Sequence, residues 1–317
     1  MELLLTAIII SLTLILAFSD GANDESMSPL LGSGIFSMKA ACIVGALSII
    51  IGALLLTSRI KHTLSMELIR VSLSGEAVFI ILVSSLAWLL VTAYMGWPSS
   101  LTQAIIGSAV SVALVKYGIH AIDANILFKL VIGWVLSPII GLVMAFTIYK
   151  TLQFAVIKRI KTISERESIE YIAAVMLIPW SILMGASRCG NDLATILAYL
   201  PLQFRTPMMD LIGGGVVALG LLTLGRRVLR SMGFKLVKLV PSSSLSVLMS
   251  SSLIMFLATQ IGIPFSATHV MSASIIGAGA ARGSAVSTYN VLKLLVIWMT
   301  SFPAVFGISL VLAEVFL

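Results

Sequence analysis

Asn23-Asp24 and Asn191-Asp192 are two copies of one dipeptide, 168 positions apart in a chain of 317 residues. Each follows a hydrophobic run and precedes small or turn-forming residues. A carboxylate beside an amide offers hard oxygen ligands of the kind that hold a small cation. Where a helix unwinds at such a point, freed backbone carbonyls complete the shell, as at the Na⁺ sites of carriers. The plainer reading is that each pair caps a helix at a membrane surface, since Asp and Asn are good N-caps. Recurrence favours function, because an acid inside a membrane is costly and by default faces a cavity, a partner or an ion. Asn23, Asp24, Asn191 and Asp192 are therefore expected to couple a cation, Na⁺ in preference to H⁺. No other cofactor is expected.

A second repeated motif has the chemistry of an anion site. "GWPSSLTQ" (96–103) falls on "GIPFSATH" (262–269) at a shift of 166, matching Gly96, Pro98, Ser100 and Thr102 to Gly262, Pro264, Ser266 and Thr268. Pro suits the first turn of a helix, with Ser or Thr at its start. Such an end presents unpaired N–H groups and a positive dipole, which bind phosphate without a lysine. The candidate substrate residues are Ser99, Ser100, Leu101, Thr102 and Gln103, with Phe265, Ser266, Ala267, Thr268 and His269. Ordinary capping and Ser/Thr packing between membrane helices would give the same residues. Two facing helix ends beside duplicated Asn-Asp pairs make a site for one tetrahedral oxyanion the better account.

Asp20 and Arg188 stand beside the Asn-Asp pairs as possible participants; Arg188 would neutralise Asp192 or attract an anion. Glu76, near the start of a span, reads as interfacial. Gly213-Gly214-Gly215 suits close helix packing better than a phosphate loop. No Walker-type Lys-Ser/Thr motif suggests an ATP-driven pump, and no nucleophile–base pair or metal constellation suggests an enzyme. Cys42 and Cys189 fit neither a disulfide framework nor a metal motif.

The elements that carry these residues must lie in lipid. The chain is 59% hydrophobic and 10% charged, with a mean hydropathy of +1.12; soluble domains carry about 25% charged residues. A net charge of +7 would raise nucleic acid as a partner in a soluble protein. Here the basic residues lie between apolar segments, where they set topology, and no nucleic acid partner is expected. Ten segments are spaced for spanning or re-entrant helices: about 2–19, 37–57, 70–94, 99–117, 125–150, 171–186, 208–225, 243–261, 265–281 and 290–316. The first has no positive n-region and reads as a retained span rather than a signal peptide. Stretches 20–36, 96–103, 187–207 and 262–269 are expected to break helices. The charged stretch 150–170 reads as an amphipathic connector helix at the interface.

The expected fold is thus an all-α polytopic membrane protein of about 10–12 helical segments in two inverted-topology repeats. Residues 1–149 form the first repeat, 150–170 the linker and 171–317 the second repeat. Five segments per half turn the second half over, which is a plan of secondary transporters with substrate held between repeats. Basic residues in the linker and in 226–238 place both on the cytoplasmic side and both termini outside. Arg59, Lys61 and Arg70 oppose that orientation.

With "DGAND" (20–24), "GNDLA" (190–194), "PSSLTQ" and "PFSATH" in order, the sequence resembles the PiT family of inorganic phosphate transporters. The resemblance spans both repeats. It implies an inverted-repeat symporter in which the Asn-Asp motifs serve coupling, the Ser/Thr motifs cradle phosphate, and the protein is a homodimer. The chain departs from the family at Glu25-Ser26-Met27 and Leu193-Ala194-Thr195, where the family continues Val-Ala-Asn, and at Arg188, where it usually has His. The expected function is phosphate import by Na⁺ or H⁺ symport through the plasma membrane of a prokaryote. A sulfate or other oxyanion permease of the same fold, or an anion channel, are the alternatives.

Overall fold

The structure is a computed structural model that describes residues 2–95 and 98–317; Gly96, matched above to Gly262, lies outside them. Thirteen α-helices account for most of the described chain. The first half holds α1 (Glu2–Ala22), α2 (Ser28–Gly32), α3 (Met38–Leu55), α4 (Ser58–His62), α5 (Gly75–Tyr94), α6 (Leu101–Tyr117) and α7 (Ala124–Ala155). The second holds α8 (Ile163–Leu197), α9 (Pro207–Thr223), α10 (Arg226–Phe234), α11 (Pro241–Ile261), α12 (Ala267–Arg282) and α13 (Thr288–Phe316). Each of the ten apolar segments has become a helix.

Polarity runs opposite to that of a soluble protein. On α11, Ser242, Ser243, Ser244, Ser246, Ser250, Ser251 and Ser252 are all buried, while Val135, Ile139, Leu295 and Met299 on α7 and α13 stand exposed. Apolar side chains facing outward and small hydroxyl residues packed between helices are what lipid selects. Seven helices are long and apolar enough to cross a membrane. A further pair, α9 and α10, is bent by 66° at Leu224-Gly225. The basic stretch 226–238 is therefore largely helical. Leu229, Met232 and Gly233 are buried while Arg226, Arg227 and Arg230 face outward.

Matching caps begin the short inner helices. Ser100 accepts from Gln103 N at α6, and Ser266 accepts from His269 N at α12. At the far end of each hairpin the chain leaves through a glycine with positive φ, Gly118 at 81° and Gly283 at 80°. Isolated bridges, Ile69 to Ile122 and Val237 to Val286, close the two hairpin bases. The packing alternates between halves: α3 lies along α8 and α9 along α1, while α12 packs on α7 and α6 on α13.

Two expectations need correction. The 150–170 stretch is not one connector helix. α7 runs to Ala155, and α8 starts afresh at Ile163, where Thr162 and Glu165 form a reciprocal capping box. Nor does the second Asn-Asp pair break a helix, because α8 runs unbroken through Asn191 and Asp192. The two halves differ for a local reason. After Asp24 the chain reads Glu-Ser-Met-Ser-Pro, and Asp24 Oδ1 takes the Ser26 N–H at 2.7 Å, an Asx turn that ends α1. After Asp192 it reads Leu-Ala-Thr-Ile-Leu, which continues the helix.

Candidate functional site

The tips of the α5–α6 and α11–α12 hairpins meet inside the protein, and Asn191 joins them. Its Nδ2 donates to Phe265 O at 2.8 Å and to Asp192 Oδ1 at 2.7 Å, and lies 3.5 Å from Thr102 Oγ1. Thr102 Oγ1 in turn donates to Phe265 O at 3.3 Å. The hydroxyl of Thr102 also faces the Asp192 carboxylate, and that of Thr268 faces Glu25. Each inner helix start thus meets an acid carried by the other half of the chain. Leu101 and Ala267 open α6 and α12, so their N–H groups are among those without an acceptor inside the helix.

Directly beside the tips, one guanidinium is ringed by four carboxylates. Arg188 Nη1 lies 2.7 Å from Asp24 Oδ1, Nη2 3.3 Å from Asp20 Oδ1 and 3.6 Å from Glu25 Oε2, and Nε 3.3 Å from Asp192 Oδ2. All five residues are at most 3% exposed. One positive charge cannot balance four ionised carboxylates away from water, where an unpaired charge costs several kcal/mol or more, so these acids must take up protons or cations. The cluster therefore calls for further positive charge. Among the described residues, Glu25 Oε1, Asn191 Oδ1 and the hydroxyls of Ser26, Ser28 and Ser187 are buried with no hydrogen-bond partner. These are oxygen donors suited to a small cation and water.

The expected residues do not all converge. Asp20, Asp24, Arg188, Asn191, Asp192, Thr102, Phe265 and Thr268 do. Asn23, by contrast, turns back to donate to Ser19 O at 3.2 Å and is only half-buried. Ser99 bonds to Thr92 within its own hairpin at 2.8 Å. Gln103 and His269 line an apolar cavity of about 600 Å³ bordered by Trp134, Trp298 and Phe302, to which no residue of the Arg188 cluster contributes. The His269 ring sits 4.3 Å from that of Trp298. Glu76 pairs with Lys116 at the base of the first hairpin, away from the cluster. Glu25 is the site acid whose role the sequence left open; its place beside Asp24 was the available signal. The trio of buried Thr57 and Asp210 with half-buried Lys61, whose Nζ lies 2.7 Å from Asp210, had no sequence signal at all.

Helices that expose their apolar faces, enclose a buried polar cluster and meet at hairpin tips define an all-helical multi-pass membrane protein built to carry a polar solute. The chain belongs to the phosphate transporter family, whose sequence profile matches residues 16–309, and hence to a family of transporters rather than enzymes. It is 27% identical to a probable low-affinity inorganic phosphate transporter of Bacillus subtilis, over 95% of this chain and 94% of that protein. A probable low-affinity inorganic phosphate transporter of Rhizobium meliloti is 28% identical over 95% and 93%. A solved structure described as the sodium-dependent phosphate transporter shares the fold, with a TM-score of 0.84, 22% identity and 98% of each chain covered.

Proposed function

We propose that this protein imports inorganic phosphate by cation symport, with phosphate held at the joined hairpin tips and the coupling cation at the acids beside them. The observation that carries the reading is the excess of buried carboxylates over guanidinium within a few ångströms of those tips. An anion would be repelled there until positive charge arrives, so cation binding precedes and favours phosphate binding. Asp24, Asp192 and Asn191 are the coupling residues best supported, and the starts of α6 and α12 supply the phosphate donors, led by Ser100, Thr102, Ser266 and Thr268. Asn23, whose side chain turns back to Ser19 O, is left out of that set. The relatives named as phosphate transporters support the substrate, and the sodium-dependent transporter that shares the fold supports Na⁺ as the coupling ion. The family match favours a carrier over a channel.

The sulfate reading loses its main support, because Arg188 is already surrounded by acids. A site rich in acceptors also suits phosphate, which at neutral pH still has a proton to donate, while sulfate has none.

The architecture that supports transport is a pair of inverted repeats, 1–149 and 171–317, joined by 150–170. Paired caps, bridges and glycines at matching positions favour it. Each half carries five apolar helices, α1, α3, α5, α6 and α7 and then α8, α9, α11, α12 and α13. A hairpin adds two crossings or none, so the count per half is odd and the second half is inverted. The exposed arginines of α10 and the basic linker then share one side, the cytoplasm by the positive-inside rule. Both termini lie outside, in the plasma membrane of a prokaryote.

The test is uptake of radiolabelled phosphate into proteoliposomes with Na⁺ and pH gradients imposed separately. Uptake driven by either gradient, and resistant to equimolar sulfate, is expected. Uptake indifferent to both gradients would overturn symport.

A further inference from the structure

We propose that the Arg188 guanidinium is a built-in cation that takes the place of one transported cation, so that this carrier moves one positive charge fewer per phosphate than the same site would with a neutral residue there. The inference rests on the cation-symport reading and concerns its stoichiometry.

The geometry is that of a counter-ion bridging a pair. Asp24 and Asp192, the two acids of the duplicated motif, both lie against Arg188, at 2.7 and 3.3 Å. The positive charge between them is supplied by a side chain and cannot leave with the substrate. Asp20 and Glu25 close the ring at 3.3 and 3.6 Å. Although four carboxylates lie round this point, no three His, Cys, Asp or Glu residues among the described ones are arranged to hold a common metal ion. The guanidinium stands where they would converge, with its planar fork spread toward all of them.

Charge balance then sets the count. Whatever number of the four acids hold protons, the ring with Arg188 carries one positive charge more than it would with a neutral residue there. A buried site of this kind reaches a given degree of neutrality with one mobile cation fewer when one positive charge is fixed. A fixed charge also makes no contribution to the driving force, because it does not cross the membrane. The cost of this arrangement is less concentrating power per phosphate; its benefit is less dependence on the external cation.

The experiment compares wild type, Arg188→Gln and Arg188→Lys in proteoliposomes at one fixed pH. The charge moved per phosphate is read from the membrane potential at which net phosphate flux vanishes. Arg188→Gln is expected to move one additional positive charge per phosphate and to require a higher power of the driving cation's concentration. Arg188→Lys is expected to keep the wild-type ratio. An Arg188→Gln protein with the wild-type ratio overturns the inference, while wild-type uptake that ignores every cation gradient overturns the symport reading instead. Removal of the guanidinium from four buried acids can unfold the protein. Melting in detergent is therefore measured in parallel, in sodium chloride and in choline chloride. A Gln variant recovered by sodium and not by choline, with wild type less sensitive to the exchange, supports the inference. A variant recovered equally by sodium and choline, or by neither, overturns it.

Discussion

Arg188 Nη2 donates to Asp20 Oδ1 at 3.3 Å, and these two residues occupy matching positions under the 168-residue shift that aligns the two Asn-Asp pairs. In the proposed pair of inverted repeats, a residue touches its own counterpart only where both stand close to the axis relating the halves. The ion pair would then lie on that axis, and it is asymmetric, with the cation from one half and an extra anion from the other.

The asymmetry should be reversible. Arg188 lies four residues before Asp192, and an arginine at position 20 would lie four before Asp24. Asp20→Arg alone forces a second, longer side chain into a ring with no free space and is expected to cost about 1–3 kcal/mol by overpacking. Combining it with Arg188→Asp should return most of that stability. Detergent melting curves of the two single variants and the double variant measure this directly. A double variant no more stable than the worse single one would show that the ring is tuned to its present handedness.

Close backbone approach makes a second prediction. A Cβ on Gly52 would stand 2.1 Å from Ala186 O, and one on Gly220 would stand 2.1 Å from Phe18 O. These two contacts are counterparts under the same shift, and they pack α3 on α8 and α9 on α1 around the acid cluster. Gly52→Ala and Gly220→Ala are each expected to destabilise by at least about 1–3 kcal/mol, the usual cost of overpacking. Gly215→Ala meets nothing within 4 Å and should be neutral or slightly stabilising. Yield of monodisperse protein and melting temperature together distinguish these outcomes.

How far such features could be read beforehand depended on whether they were local. Hydropathy located every long helix, and the helix starts at Leu101 and Ala267 were legible from Ser100 and Ser266 because capping is a property of a few consecutive residues; Pro98 and Pro264 stand two residues ahead of those caps and not in the first turn. The recurrence of Asn-Asp pointed to the centre of the molecule for the same reason. Orientation of individual side chains was not legible. Asn23 and Asn191 look equivalent in sequence, yet one folds back on α1 and the other spans the hairpin tips, because only α8 continues as a helix beyond its pair. Gln103 and His269 resembled further phosphate donors, but the turn of each inner helix carries them to the tryptophan-lined side. The convergence of Asp20, Glu25 and Arg188 required contacts between distant segments, which no spacing rule reports.

Asn191 and Asn23 should accordingly differ in a mutation that sequence symmetry would score alike. Asn191→Ala removes the amide that holds Phe265 O and Asp192 together and leaves buried partners unsatisfied. A loss of about 1–3 kcal/mol per orphaned group corresponds to a fall of tenfold or more in phosphate uptake or affinity. Asn23→Ala removes one contact to its own helix end and should cost little. Initial uptake rates across phosphate concentrations test the contrast, and equal losses in the two variants would count against the tip-bridging role of Asn191.

Asp123 provides a pH-dependent prediction away from the transported ions. It caps α7, accepting the N–H groups of Asn125 and Ile126, and pairs with Arg70 across the base of the first hairpin. The Ile126 N–H, together with Arg70 and the Asn125 N–H, holds its carboxyl below the ordinary carboxylate value. A group whose pKa is lowered on folding contributes stability that is fully present above its unfolded pKa and lost as pH falls through the folded value. Asp123→Asn keeps the cap but cannot ionise. The melting temperature of wild type should therefore exceed that of Asp123→Asn at neutral pH, and the gap should close as pH falls below about 4, the unperturbed Asp value. High salt should also narrow the gap at neutral pH, because Arg70 is exposed and its attraction is screened. A gap unchanged from neutral to acid would mean that shape, not charge, carries the contribution of Asp123.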